Sequence, residues 1–351
     1  MKLQVLWNTR LSLFAAGRKA AQAGTVGVHA GEKRFAAVRL RATVPSPTLE
    51  LVRQFGTDSG ARTNTIRALA QEGFFTGARV FVTLPGGTYD TITVSSPPAV
   101  PEEELRDALR WQMRGALSYA PEDAAFDFVR LPQAPRGETE SASAPAILVV
   151  AARRRDVAQT LAPFQAAGVQ VDAIDIPEMA QRNLLRAGAK ADTCLGFLSF
   201  DESSALLTVQ LADELCFARR MQLPGAGRLE EDEPEHIADR IAMNVQRSLE
   251  VFARQSQMPE VASLAIGTHP HASLIARAIA EQAAVATTLF NPATAVVLGQ
   301  NFHAELGGAT PMASELLLAL GTALRADDQA PGNADGALAL RAWLLPGKKA
   351  A

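Results

Sequence analysis

A duplicated α/β architecture is what this sequence predicts, and three observations carry that reading. Hydrophobic residues make up 48% of the 351 positions and charged residues 20%, the balance of a globular chain with a sizeable core. The stretch from Gly24 to Thr43 reads as a β-hairpin followed by alternating helices and strands, and the second half restarts that theme at Leu195. Between the two, after the breaker Pro85-Gly86-Gly87, comes a block ordered strand, helix, strand, strand.

Taken in order, residues 1–24 read as a short helix or loose arm carrying Arg10, Arg18 and Lys19. Thr25 to Ala30 and Phe35 to Thr43 are a strand pair around the turn-like Gly31-Glu32-Lys33. Thr65 to Glu72 has helical spacing with Asn64 as its candidate N-cap, and Val80 to Leu84 is a β-branched and aromatic strand. Tyr89 to Val94 is a strand. A helix follows from Pro101 to Leu117, its first turn holding Glu102, Glu103 and Glu104 at the positive end of the dipole. Leu105, Ala108, Leu109, Gln112 and Ala116 share one stripe of that helix, and Trp111 sits off it. Ala125 to Leu131 and Ala146 to Ala151 are strands separated by a Pro/Gly/Ser/Glu-rich loop.

Asp156 to Ala167 then reads as a helix closed by Gly168, Val169 to Ile176 as a strand, and Pro177 to Arg186 as a helix. Leu195 to Phe200, Ala205 to Leu211 and Leu215 to Leu223 are strands. A long helix runs from Pro234 to Gln255 with Ile237, Ile241, Val245, Ser248 and Phe252 on one face. The acidic run from Glu230 to Glu233 ahead of it complements the helix N-terminus. Val261 to Ile266 is a strand, and Ser273 to Gln282 and Glu315 to Arg325 are helices.

The bulk properties exclude several function classes. A net charge of -3 with mixed signs gives no drive toward nucleic acid. Cys194 and Cys216 lie in apolar runs outside any CxxC, which suits core thiols in a reducing compartment. No apolar stretch approaches the about 20 residues that span a bilayer, and Asn8, Thr9 and Arg10 interrupt the N-terminal apolar run. The expectation is a soluble, cytoplasmic protein without membrane insertion. Leu338, Leu340, Trp343, Leu344 and Leu345 ahead of Lys348 and Lys349 raise surface attachment, but Pro346 and the shortness of the run favour a mobile tail.

Familiar catalytic motifs are missing from the sequence. It contains neither a GxxxxGK[ST] phosphate loop nor a GxSxG elbow. Gly225-Ala226-Gly227 lacks the third glycine of a dinucleotide fingerprint, and the His269-Pro270-His271 pair has no partner at zinc-ligand spacing.

Several stretches together resemble one family. Ile174-Asp175-Ile176-Pro177-Glu178-Met179-Ala180-Gln181-Arg182-Asn183-Leu184 is similar to a segment of the MshI family of pilus-biogenesis proteins. So are Pro98-Ala99-Val100-Pro101 with the Ala108-Leu109-Arg110-Trp111 step, Val245-Gln246-Arg247-Ser248-Leu249-Glu250, and Ala319-Leu320-Gly321-Thr322-Ala323-Leu324-Arg325. That family is similar to PilM of type IV pili and more distantly to the cell-division protein FtsA. The resemblance implies an actin-like fold of ribonuclease H-like duplicated lobes with a small inserted subdomain. It divides the chain into an arm at 1–24, a first lobe at 25–85 and 153–190, an insert at 86–152, a second lobe at 191–326, and a tail at 327–351.

In nucleotide-binding members of such a fold, each lobe's first hairpin supplies an Asp-x-Gly turn for phosphate and magnesium, and a later Gly-Gly turn admits adenosine. Here the first hairpin reads Gly27-Val28-His29-Ala30-Gly31, with His29 in place of the aspartate. The second offers Ser199 or Asp201 with no glycine after it, and the third element reads Ile266-Gly267-Thr268. Neutral His29 and Ser199 cannot replace two carboxylates as hard-oxygen holders of magnesium. The expectation is therefore a scaffold with no required cofactor, ATP remaining open as a bound ligand. The rival is an active ATPase relying on Asp201. By resemblance the partner is a PilN-like bitopic inner-membrane protein, with other platform proteins around it, at the cytoplasmic face of the inner membrane. Trp111, Arg114, Phe126 and Phe128 are the candidate groove residues, with Trp111 either anchoring that partner or packing on the neighbouring lobe.

Overall fold

The computed structural model describes residues 24–31, 34–43, 46–56, 61–97, 100–132, 146–190, 192–223, 234–256, 258–299 and 312–325. The N-terminal arm, the Gly225-Ala226-Gly227 turn, the acidic run at 230–233, nearly all of the 132–145 loop and the C-terminal tail lie outside these residues.

The first lobe is built on a mixed sheet. Strands β1 (Gly24–Ala30), β2 (Arg34–Arg41) and β3 (Thr48–Gly56) form an antiparallel meander. On the other side of β1, β4 (Ala78–Thr83) and β8 (Ala173–Asp175) add in parallel. Helix α1 (Ala61–Gln71) bridges β3 to β4. The second lobe repeats the plan with β9 (Cys194–Phe200), β10 (Ser204–Leu211) and β11 (Glu214–Gln222) antiparallel. Strands β12 (Val261–Ile266) and β13 (Ala286–Leu289) continue it in parallel. The orders β3-β2-β1-β4-β8 and β11-β10-β9-β12-β13 are the same topology twice, which is the duplication expected from the sequence.

Between β4 and β8 sits a separate antiparallel sheet, ordered β5 (Tyr89–Ser95), β7 (Ala146–Arg153), β6 (Ala124–Arg130). Helix α2 (Glu102–Gln112) covers one of its faces. Central β7 shows period-2 division of labour: Ile147, Val149 and Ala151 join Leu105, Leu109, Met113 and Phe126 in a small core under α2. Leu148, Val150 and Ala152 face the other way, into the main first-lobe core with Val157 and Leu161. These last two lie on α3 (Arg154–Ala166), which begins directly where β7 ends.

Helices close the remaining faces. Helix α5 (Pro234–Ser256) buries Ile237, Ile241, Val245, Ser248 and Phe252, the stripe its sequence predicts. It packs with α6 (Ala272–Ala283) on the second-lobe sheet. Helices α4 (Pro177–Leu185) and α7 (Ser314–Ala323) pack on each other between the lobes. Close approach there depends on glycine. A Cβ on Gly27 would lie 2.1 Å from the Ala319 carbonyl oxygen, and one on Gly321 would lie 2.1 Å from that of Ala180.

Several sequence expectations need correction. Helix α1 begins at Ala61, so Asn64 is inside it, accepting a bond from Arg67 at 3.1 Å, and is no N-cap. The strand expected from Val169 shrinks to Ala173–Asp175, because the parallel pairing with β4 takes in only those three residues after the turn at Gly168 (φ +69°). Helix α2 stops at Gln112, short of Leu117. Strand β3 has no counterpart in the sequence reading. A bulge at Glu50 skips one residue in its register, since Leu51 pairs with Arg39 and Leu49 with Leu40, and this scrambles the alternation that would reveal it. Strands β13 and β14 (Val297–Leu298) are too short to stand out in the sequence. Finally, the second lobe does not run to residue 326: β14 pairs with β3, and α7 lies on β1, β2 and β4, so the chain returns to the first lobe.

Candidate functional site

The ends of β1 and β9 face each other across an interlobe cleft of about 230 Å³. His29 and Gly31 line it from the first lobe, Ser199 and Asp201 from the second, and Pro85-Gly86-Gly87 from the base of the insert. Of the nucleotide positions predicted from sequence, these four are brought together. Gly27, Gly267 and Thr268 are not among the lining residues. Gly27 is pressed against α7. The Gly267 amide donates to the Leu198 carbonyl at 2.8 Å, and Thr268 spends its hydroxyl on the Met312 carbonyl while its own carbonyl accepts from Ser314 at 2.9 Å.

Asp201 and Ser199 are bound within the protein, whereas His29 is not fully partnered. Asp201 caps the β9–β10 turn, accepting from the Ser203 amide at 2.9 Å, the Ser204 amide at 2.5 Å and the Ser204 hydroxyl at 2.6 Å. Its remaining capacity goes to Arg220 Nη1 at 3.2 Å. Ser199 is buried and accepts from Gln181 of α4, whose carbonyl oxygen accepts from Thr208 at 2.7 Å. His29 is 6% exposed, and its Nδ1 has no hydrogen-bond partner among the described residues. Burial, with Arg220 second, holds its pKa down at about 4, so the ring is neutral at pH 7.

Magnesium-bound nucleotide would draw on the carboxylates at this cleft. A hard cation needs carboxylate oxygens with free lone pairs. Asp201 offers them to backbone amides and a guanidinium, and no group of three His, Cys, Asp or Glu side chains capable of holding a metal exists among the described residues. The cavity volume also lies below the roughly 300–1,000 Å³ of ordinary ligand pockets.

His29 predicts a pH dependence. Its native pKa of about 4 lies below the ordinary 6.5, as does that of His269, which burial and neighbouring His271 hold down at about 4. The unfolded chain therefore binds protons that the native chain refuses. Stability contributed by both rings is complete above pH 6.5 and is lost as pH falls toward 4. Urea midpoints across that window should fall less steeply for His29→Gln than for the parent.

The inserted subdomain carries the second candidate surface. Trp111 of α2 is 71% exposed, so it does not pack on a neighbouring lobe. Arg114 beside it is exposed and pairs with Glu122 at 3.3 Å. Phe126, grouped with them in the sequence, is instead 3% exposed in the core under α2. It lies on that face of the sheet by strand parity, and Arg106 and Arg110 stack over it from α2. Phe128 is half-buried at the margin of the same core, also under Arg106.

The family model described as "Type IV pilus assembly protein PilM" matches residues 32–232, more than half of the chain. The chain belongs to that PilM family. Its fold is the actin-like one, two copies of one sheet topology enclosing a cleft, with an insert in the first. A solved structure of a "PilM-PilN type IV pilus biogenesis complex" superposes with a TM-score of 0.69 at 22% identity, covering 87% of this chain and 98% of that one. The cytoplasmic domain of EpsL, an inner membrane component of the type II secretion system of Vibrio cholerae, gives 0.49 at 12% identity, covering 86% and 95%. A protein with actin-like ATPase fold and unknown function from Bacteroides thetaiotaomicron gives 0.46 at 9% identity, covering 83% and 98%. No curated protein matches the chain.

Within this PilM-family structure, the sequence reading missed the residues that organise the cleft. Glu178, Gln181 and Asn183 of α4 are all buried, and each bonds a different element: Arg220 on β11, Ser199 and Thr208 on β9 and β10, and the Gly321 carbonyl of α7. Their signal is present as polar residues interleaved with apolar ones in the Ile174–Leu184 stretch, which also holds Asp175 and Arg182. Buried polar residues of this kind require partners, but no local pattern names them.

Proposed function

We propose that this chain is a cytoplasmic scaffold of an inner-membrane pilus assembly platform, of the MshI type, that docks a short cytoplasmic peptide of a PilN-like bitopic membrane protein and does not hydrolyse nucleotide. The observation that carries the docking surface is Trp111, a large aromatic ring 71% exposed on a helix whose opposite side builds the insert's core. Aromatic and arginine side chains dominate binding hot spots, and Trp111 with Arg114 supplies both. Phe128, half-buried at the edge of the same subdomain, completes the surface; Phe126 is withdrawn from it by burial. Family membership supports the pilus assignment, and the likeness to the PilM-PilN complex supports the class of partner. Among the described residues no helix is long and apolar enough to cross a membrane, which is compatible with reaching the membrane through a partner.

The committed carboxylate of Asp201 and the neutral ring of His29 support a cleft without ATPase activity. Calorimetry with magnesium-ATP and a phosphate-release assay test this on the full chain. No heat and no release are expected. Turnover that disappears in Asp201→Ala would replace the scaffold reading with that of an active ATPase.

A further inference from the structure

Arg220 stands where three bodies meet. It projects from β11 of the second lobe, and its Nη2 donates to the Tyr89 hydroxyl at 3.1 Å, the first residue of the insert's β5. The same Nη2 lies 3.6 Å from Glu178 Oε1 on α4 of the first lobe. Nη1 reaches Asp201 Oδ2 at 3.2 Å and Ser204 Oγ at 3.3 Å within its own lobe. The triangle is closed by Tyr89, whose hydroxyl donates to Glu178 Oε2 at 2.6 Å. Gly86 makes room for the head group: a Cβ there would lie 3.1 Å from Nη1.

We propose that Arg220 is an internal clasp that lines the cleft and holds the second lobe shut against the first lobe and the insert together. The lobes have an apolar joint, in which Phe197 and Ala265 of the second lobe meet Val38, Leu49 and α7, and Leu215 and Ala218 of β11 meet the first-lobe core. Such packing tolerates small rotations better than a set of directed charge-assisted bonds does. The joint is therefore the hinge, and Arg220 on the cleft side sets the closure. Burial opposes its charge, yet Tyr89 and Glu178 beside it hold Arg220 above its ordinary pKa, so the guanidinium remains charged. The cation that balances Asp201 and Glu178 is thus the protein's own side chain. A solute larger than the about 230 Å³ left beside Gly86 and Ser204 would compete with these partners for Arg220.

Interlobe distance tests this without partner or nucleotide, and so independently of the scaffold reading. Nitroxides are placed by Gln112→Cys on the insert and Ala280→Cys on the second lobe, in a Cys194→Ala, Cys216→Ala background. Double electron–electron resonance should give one narrow distribution for this parent. Arg220→Met should shift it to longer distance or broaden it, and Glu178→Gln should do so to a smaller extent. Adding Glu178→Gln to Arg220→Met should change little more, because both act on the same bond. An unchanged distribution in a folded Arg220→Met would overturn the clasp, whatever the loss in thermal stability. Should Arg220→Met fail to fold, Tyr89→Phe decides: it removes one oxygen and both of its bonds, and a parental distribution there would overturn the proposal equally.

Discussion

Gly27→Ala is expected to destabilise the fold by about 3 kcal/mol, the upper part of the usual overpacking range. Its Cβ would sit 2.1 Å from the Ala319 carbonyl oxygen and 2.3 Å from the Ala323 amide nitrogen. Both are backbone atoms of α7, so no side-chain rotation can relieve the contact. Relief requires α7 to lift from β1, and that exposes Leu316, Leu317 and Leu320, which are at most 3% exposed now. Because α7 also carries the contact with α4 through Gly321, both lobes loosen together. Urea unfolding should show the midpoint falling sharply. Gly56→Ala is the control, since a Cβ there meets nothing within 4 Å; its midpoint should hold or rise slightly. A Gly27→Ala midpoint equal to the parent's would mean that α7 does not seat on β1 in solution.

Trp111→Ala has the opposite signature. The ring is 71% exposed and contributes little to the insert's core, so the unfolding midpoint should stay within about 0.5 kcal/mol of the parent. Capture of the partner's cytoplasmic segment should weaken by about 30-fold, the effect of deleting a hot-spot anchor worth roughly 2 kcal/mol. The two measurements together matter. Lost binding with a lost fold would say nothing about the surface, whereas lost binding on an intact fold assigns it. Undiminished capture would move the docking surface away from α2. Arg114→Ala should cost less than Trp111→Ala, because its ion pair with Glu122 is exposed and binds it weakly.

Elements whose residues answer to local rules were legible without a structure. The α5 stripe, the β9–β10 hairpin, the strand, helix, strand, strand order of the insert and the repetition of one plan in two halves all follow from periodicity and turn residues. The strands that end at the cleft were legible from their pattern, while His29, Gly31, Ser199 and Asp201 were placed there only through the family resemblance, which also named Gly27, Gly267 and Thr268, absent from the lining. Gly27 was read as a cleft position and is not one: a side chain is forbidden there by the seat of α7, almost three hundred residues away.

What the tertiary structure alone decided concerns partners. Trp111 was already off its helix's apolar stripe in the sequence, but that Phe126 lies in the core under α2 and not on the same surface is seen only in the packing of α2 on the insert's sheet. Asp201 reads as a surviving carboxylate, and only its geometry shows it spent on the Ser203 and Ser204 amides and on Arg220. Arg220 gave no signal of its own on an amphipathic edge strand, yet it bonds residues 131 positions away at Tyr89 and on two other elements. The physical reason is the same each time. Periodicity is a property of one segment and survives in the sequence, while the pairing of a buried polar group depends on which distant segment the fold lays across it.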